Sequence, residues 1–285
     1  MQTLYREFTT QAEIDRAYDP SLEVADLAGI RRGYAEQSER ARRTLEYVPK
    51  VPFGPTLEEH VDIFPAQRPG APVLLFIHGG YWRANTAQNF SCVALGPAEL
   101  GMTVVVMNYA LCPHVTLDEI TRQARAAVAW VIRNIEQYNG DPQRIVVAGH
   151  SAGAHLAAMC LQTPWSAQYG LADDCIRAAL LVSGVFDIAP LRYSYLQPMI
   201  QLDEGIILRN CPMFGIRASK AEALLTWGSR ESTEFARQSR DFHRRWLEAG
   251  NRGELLEQPE ADHFTAIHGL ERAQSPLCQW LARVA

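Results

Sequence analysis

Two short stretches hold groups that could do chemistry together. Gly149-His150-Ser151-Ala152-Gly153 fits the pattern G-x-S-x-G, in which a strand turns sharply into a helix and leaves a serine hydroxyl exposed at the end of a sheet. Ahead of it, an apolar run over 73–77 ends in His78-Gly79-Gly80-Tyr81-Trp82. Paired glycines after a buried strand let bare backbone N–H groups approach a ligand oxygen, since no Cβ intervenes. In this order, and about one strand–helix–strand repeat apart, the two stretches point to acyl transfer. Ser151 is the expected nucleophile, and the N–H groups of Gly79, Gly80 and Ala152 are the expected oxyanion hole.

A serine hydroxyl attacks only when a neighbouring base takes its proton. In the chain order of this motif an acid comes next and a histidine after it. Downstream of Ser151, His155 lies one turn into the following helix and cannot face the serine freely. His243 falls mid-helix among Arg240, Arg244 and Arg245 and reads as solvated. His263, in the loop after the last strand, stands where the base belongs, with His268 as its rival. The acid should follow the strand over 222–227, where Glu231 is the carboxylate preceding the next helix; Asp187, one strand earlier, competes. Glu231 would otherwise be a charge at a helix N-terminus, worth roughly 0.3–1 kcal/mol. His78 has no companions at metal-ligand spacing and reads as a support for the glycine turn. Tyr81 and Trp82 are either core residues or an aromatic pocket wall; His150 and Tyr193 are further candidates to touch substrate. This chemistry needs neither metal nor organic cofactor.

The elements that must position these groups alternate. Helical patterns cover 5–18 and 24–47, broken at Asp19-Pro20-Ser21, so residues 1–50 form a helical extension or a lid. Residues 48–55 carry Pro49, Pro52 and Pro55 and read as a stiff connector. Residues 60–64 alternate and suit an edge strand, whereas 73–77 and 103–107 are continuous apolar runs typical of parallel strands buried on both faces. A helix fits 116–138, with Thr116 and Glu119 as a capping box and Ile120, Ala124, Val128, Val131 and Ile135 on its apolar face. Further strands fit 144–148, 178–182, 222–227 and 254–257, and a helix fits 233–249, closed by Gly250. Residues 184–215 read as an irregular, cap-like insertion containing Pro190, Pro198 and Pro212. The expected fold is α/β with a mainly parallel sheet, one α/β-hydrolase domain over 1–285.

Composition narrows the partners. At 285 residues, 47% hydrophobic and 21% charged, the chain can bury a sizeable core. A net charge of −5 gives no footprint for nucleic acid or an anionic membrane. The N-terminal Met1-Gln2-Thr3-Leu4-Tyr5-Arg6-Glu7 lacks a leader's basic and apolar regions, and no apolar run nears the ~20 residues of a membrane span. The six cysteines show no C-x-x-C pair, arguing against zinc and a disulfide scaffold and for reduced thiols in the cytoplasm. The expected partner is a small aromatic substrate; a homodimer is compatible with the sequence.

Beyond the two turns, several segments resemble the serine-hydrolase kynurenine formamidase (arylformamidase) family, related to hormone-sensitive-lipase-like esterases. They are Asp15-Arg16-Ala17-Tyr18-Asp19-Pro20, Asn108-Tyr109-Ala110-Leu111-Cys112-Pro113, Ser183-Gly184-Val185-Phe186-Asp187-Ile188, the stretch 231–239, and Asp262-His263-Phe264. The resemblance spans nearly the whole chain. It implies an α/β-hydrolase that removes the formyl group of N-formylkynurenine with a Ser, Asp, His triad, carried here by Ser151, Glu231 and His263. The glutamate departs from the family's usual aspartate. Relatives on this scaffold also cleave other aryl amides, carbamates and small esters, so a carboxylesterase or carbamate hydrolase is the alternative. A non-catalytic binding protein fits poorly, because such proteins typically lose the serine, the histidine or the glycine pair.

Overall fold

The apolar runs pair into one eight-stranded sheet in the computed structural model, which describes residues 3–285. Met1 and Gln2, part of the stretch read above for a leader, lie outside the described residues. In chain order the strands are β1 (Val48–Pro52), β2 (His60–Phe64), β3 (Ala71–Ile77), β4 (Thr103–Met107), β5 (Gly140–His150), β6 (Ala178–Val182), β7 (Glu222–Gly228) and β8 (Arg252–Gln258). Their spatial order is β1-β2-β4-β3-β5-β6-β7-β8. Pairings β1/β2 and β2/β4 are antiparallel, and all the others are parallel. Along β3, Val73, Leu75 and Ile77 enter one core while Leu74 and Phe76 enter the other, which is why that run is apolar without alternation. The chain leaves β3 toward β4 and leaves β5 toward β6, so a crevice opens at the carboxyl ends of β3 and β5. Their register pairs Ile77 with Gly149 and sets the glycine turn beside the serine turn.

Two expectations at the sheet's first edge are corrected. The proline-rich connector forms the edge strand β1, and β2, expected at the edge, lies inside it. Pro49 and Pro52 suit an edge because they have no N–H to give to a ladder. Asp62 made β2 look half-solvated; it is instead fully buried, accepting from Lys50 N–H at 2.9 Å and Tyr47 Oη at 3.0 Å. Lys50 sits at φ 50° where the β1 register slips, so the bulge amide uses this carboxylate.

The helices are α1 (Gln11–Tyr18), α2 (Leu27–Thr44), α3 (Leu95–Glu99), α4 (Leu117–Asn134), α5 (Ala152–Leu161), α6 (Trp165–Tyr169), α7 (Gln197–Ile200), α8 (Glu204–Asn210), α9 (Thr233–Glu248) and α10 (Pro276–Val284). The expected helix from residue 5 starts only at Gln11, where Thr10 and Glu13 cap each other reciprocally; Tyr5 and Phe8 form a bridge instead. Thr116 caps α4, but Glu119 turns to Arg122 and Gln123, so the expected box is half made. The N-terminal segment is bolted to the body. Ser232 Oγ donates to Ala17 O at 2.5 Å, Tyr18 Oη donates to Glu234 on α9 at 2.5 Å, and Gln238 donates to Tyr18 Oη at 3.0 Å. Residues 184–215 contain α7 and α8, and Leu191, Leu196, Ile200 and Leu202 are buried in the main core. No helix among the described residues is long and apolar enough to cross a membrane.

Helix α5 crosses the end of β3 without room for a side chain. A Cβ on Gly153 would lie 1.9 Å from Ile77 O, a backbone atom. Gly153→Ala should therefore cost about 1–3 kcal/mol or more, the range of overpacked cores, read as a lowered urea midpoint. A wild-type midpoint would contradict this packing.

Candidate active site

Strand β5 delivers Ser151 in a backbone conformation that serine rarely adopts, φ 55° and ψ −118°. Such a conformation costs on the order of 1–3 kcal/mol and persists only where its surroundings enforce it. Here Ser151 N–H donates to Val182 O on β6 at 2.8 Å. A Cβ on Gly149 would fall 2.2 Å from Gly153 O, so the outer glycines of the motif are what allow the chain to fold back on itself. Ala152 opens α5, and its N–H, like those of Gly79 and Gly80, donates to no other group among the described residues.

The loop after β8 brings His263 to Glu231. Nδ1 of His263 lies 2.7 Å from Glu231 Oε2, and both side chains are buried. A carboxylate only accepts, so Nδ1 of His263 carries a proton toward it. Glu231 Oε1 accepts from Gly228 N–H at 2.7 Å and from Ser183 Oγ at 2.5 Å. Sequence reasoning assigned Ser183 no role, although its φ of 50° marks a strained position after β6. Phe235 packs on the His263 ring at 4.4 Å between centroids. The rival residues sit elsewhere. Asp187 accepts from Tyr5 Oη at 2.6 Å, His268 lies 4.0 Å from Glu271, and His155 bonds Asn210 O at 2.6 Å. His243, read as solvated, instead packs against strand β8, with a ring nitrogen buried.

The glycine turn reaches over the serine. A Cβ on Gly79 would meet His150 O at 2.9 Å and Ser151 Cβ at 3.1 Å, so a side chain there would fill the gap above the hydroxyl. His78 is sandwiched between Tyr109 at 4.2 Å and Phe90 at 5.6 Å and donates Nδ1–H to Gly79 O at 2.8 Å. Burial pushes its imidazole down to about 4, so it is neutral near pH 7.

A cavity of about 550 Å³ opens above Ser151, His263, Gly79 and Gly80. Tyr34, Tyr81, Phe90, Tyr195 and Phe264 give it aromatic walls, and α2 with Asp19 closes one side. Tyr81, after the turn, donates to Tyr18 O at 2.6 Å. His150 lines the cavity, but its Nε2–H holds His263 O at 2.7 Å; burial and the neighbouring His263 keep it neutral, its pKa well below the usual histidine range. Two expected substrate contacts are corrected. Trp82 is fully buried, edge-on to His155 at 4.8 Å, and is a core residue. Tyr193 ends a helical turn and is not among the residues lining the cavity; Tyr195, two residues on, lines it. Arg31 and Arg83, unremarked in the sequence, also line it, and among the described residues neither pairs with a carboxylate.

A serine on a strained strand–helix turn that shares a cavity with a carboxylate-held histidine, on a mainly parallel sheet, places the molecule among the α/β-hydrolases. The BD-FAE family model matches residues 61–176. The solved structure of a Silicibacter sp. TM1040 protein, provisionally described as a thioesterase, superposes with a TM-score of 0.85 at 26% identity, covering 94% of this chain and 98% of that one. Kynurenine formamidase of Salmo salar is 31% identical over 258 residues, 87% of this chain and 85% of the relative. An esterase of Mycobacterium tuberculosis, LipQ, is 33% identical over 180 residues, 54% of this chain and 42% of the relative. The chain belongs to the kynurenine formamidase family.

The buried histidines make stability depend on pH. Free histidine titrates near 6.5, whereas desolvation drives His78 and His155 down to about 4 and His150 well below its usual range. Between about 6.5 and 4 the unfolded chain binds more protons, so this contribution is complete above 6.5 and is lost as pH falls through that window. Glu271, raised by burial to about 7, works in the opposite sense over the same window, so the loss is read in Glu271→Gln, where urea unfolding at pH 5.5 should show a loss of about 1 kcal/mol per such histidine relative to pH 7.5. An unchanged midpoint in that variant would contradict their neutrality.

Proposed function

We propose that this chain hydrolyses the formyl amide of an aryl amine of the N-formylkynurenine type through an acyl-Ser151 intermediate. The observation that carries the reading is the 2.7 Å Glu231–His263 contact at the foot of the cavity that Ser151 also lines. In the proposed reaction Ser151 Oγ attacks the formyl carbon while His263 Nε2 takes its proton. Glu231 stabilises the imidazolium and keeps the ring oriented. The carbonyl oxygen, now anionic, is held by the N–H of Ala152 and those of Gly79 and Gly80; one such donor is typically worth about 2.7–4 kcal/mol. Collapse breaks the C–N bond, and His263 returns the proton to the departing aryl amine. Water, deprotonated by the same histidine, then frees formate and restores Ser151.

The aromatic walls suit an aryl leaving group. Two guanidinium groups, Arg31 and Arg83, and one carboxylate, Asp19, line the cavity; a guanidinium without a carboxylate partner suits a leaving amine that bears a carboxylate and offers nothing to a neutral ester. Six free thiols suit the reducing cytoplasm. Ester hydrolysis by the same groups is the second reading, supported by the similarity to the mycobacterial esterase.

Comparing kcat/KM on N-formylkynurenine and on phenyl acetate, with Ser151→Ala as the blank, tests this. The formamide should react comparably to or faster than the intrinsically easier ester, and Ser151→Ala should lose on the order of 10⁴-fold or more. Turnover of the ester alone would sink the formamidase reading, and retained activity in Ser151→Ala would sink the mechanism.

A further inference from the structure

In a trans peptide the C=O of one residue and the N–H of the next point in opposite directions. The one cis bond among the described residues is Cys112–Pro113, so the peptides joining His78 to Gly79 and Gly79 to Gly80 are trans. Both are gripped by their carbonyls. Tyr109 Oη donates to His78 O at 2.9 Å. Asn85 Nδ2 donates to Gly79 O at 3.1 Å, on the same oxygen that accepts from His78 Nδ1–H at 2.8 Å. The opposite ends of these peptides are the N–H groups of Gly79 and Gly80, which have no acceptor among the described residues and belong to glycines lining the cavity.

We propose that Asn85 and Tyr109 are positioning residues: by holding the carbonyls of Gly79 and His78 they aim the Gly80 and Gly79 N–H groups at the developing oxyanion. Neither touches the reacting atoms, and each acts on a different peptide. The grips are themselves fixed. Tyr109 is buried against the His78 ring. Asn85 holds φ 76°, a conformation that asparagine tolerates better than most residues. Gly80, at φ 120°, has no space for a Cβ, which would meet Ala84 O at 2.5 Å and Asn85 Nδ2 at 2.7 Å. The turn therefore closes around the Asn85 amide. Without Tyr109 the His78–Gly79 peptide loses its side-chain grip, and without Asn85 the Gly79–Gly80 peptide is left on the His78 ring alone and can pivot about that single bond; donors that must be reoriented during the reaction lose most of their value.

The inference rests on Ser151 being the nucleophile, and the probe is chosen accordingly. Phenylboronic acid adds the serine oxygen to boron, the hydroxyl proton passing to the histidine, and gives a tetrahedral anion with an oxygen where the oxyanion would lie. Asn85→Asp keeps the shape and the tolerance for this φ but turns an acceptor toward Gly79 O. Tyr109→Phe removes the other grip. Each should weaken phenylboronate inhibition about tenfold and lower kcat by a similar factor, with KM changing less than about threefold, because the lost interaction exists only in the transition state. Asn85→Gly, which fits the positive φ without strain, serves as a second variant at the same position and should show the same split. Wild-type phenylboronate affinity in the Asn85 variants, or a loss confined to KM, would overturn the clamp and leave the hydrolase reading standing. Failure of the wild-type protein to turn over either substrate or to bind phenylboronate would sink both.

Discussion

The crossing of α5 over the end of β3 is the contact on which the site depends. Gly153 lies so near Ile77 O that no side chain fits between them. Gly79, two residues past Ile77, in turn has room only for hydrogen beside Ser151. These two approaches fix the distance between the serine and the glycine turn to within a van der Waals contact. The strain at Ser151 is held from two sides: its N–H is spent on β6, and its flanking glycines let the chain fold back into the crossing helix. A buried apolar sheet thus supplies rigidity that a surface loop could not, and preorganised donors do the most for catalysis when they are already in place.

The other half of the site is tied in by polar contacts. Residues 17–19 bridge both arms. Ala17 O accepts a hydrogen bond from Ser232 Oγ, one residue past Glu231; Tyr18 O accepts from Tyr81 Oη after the glycine turn; and Asp19 lines the cavity. Tyr18 also donates to Glu234, which pairs with Arg237 at 2.7 Å on α9. Breaking one partner of such a buried group leaves the other without compensation, so the network favours one arrangement of segment and body. The N-terminal segment is a wall of the cavity.

The sequence made the parallel strands legible because burial on both faces leaves continuous apolar runs, and both turns because their glycines answer a steric demand that no other residue meets. It misplaced β2, since the alternation around Asp62 looks the same whether the carboxylate meets water or a bulge amide. It overextended the first helix, since Tyr5 and Phe8 keep helical spacing although the cap lies at Thr10. Tyr195 lines the cavity and Tyr193 does not, and nothing local in the sequence separates two neighbouring aromatics at the end of a helical turn. Ser183, Asn85, Tyr109 and Arg83 reach the site through tertiary placement, which residue type and spacing do not encode.

The central claim, that Ser151 is the nucleophile and His263 its base, is tested most directly by mapping a fluorophosphonate adduct by peptide mass spectrometry. The account predicts one adduct, on the peptide containing Ser151, absent in Ser151→Ala and formed far more slowly in His263→Gln. Adduct formation at another residue, or equal labelling rates in wild-type protein and His263→Gln, would contradict it.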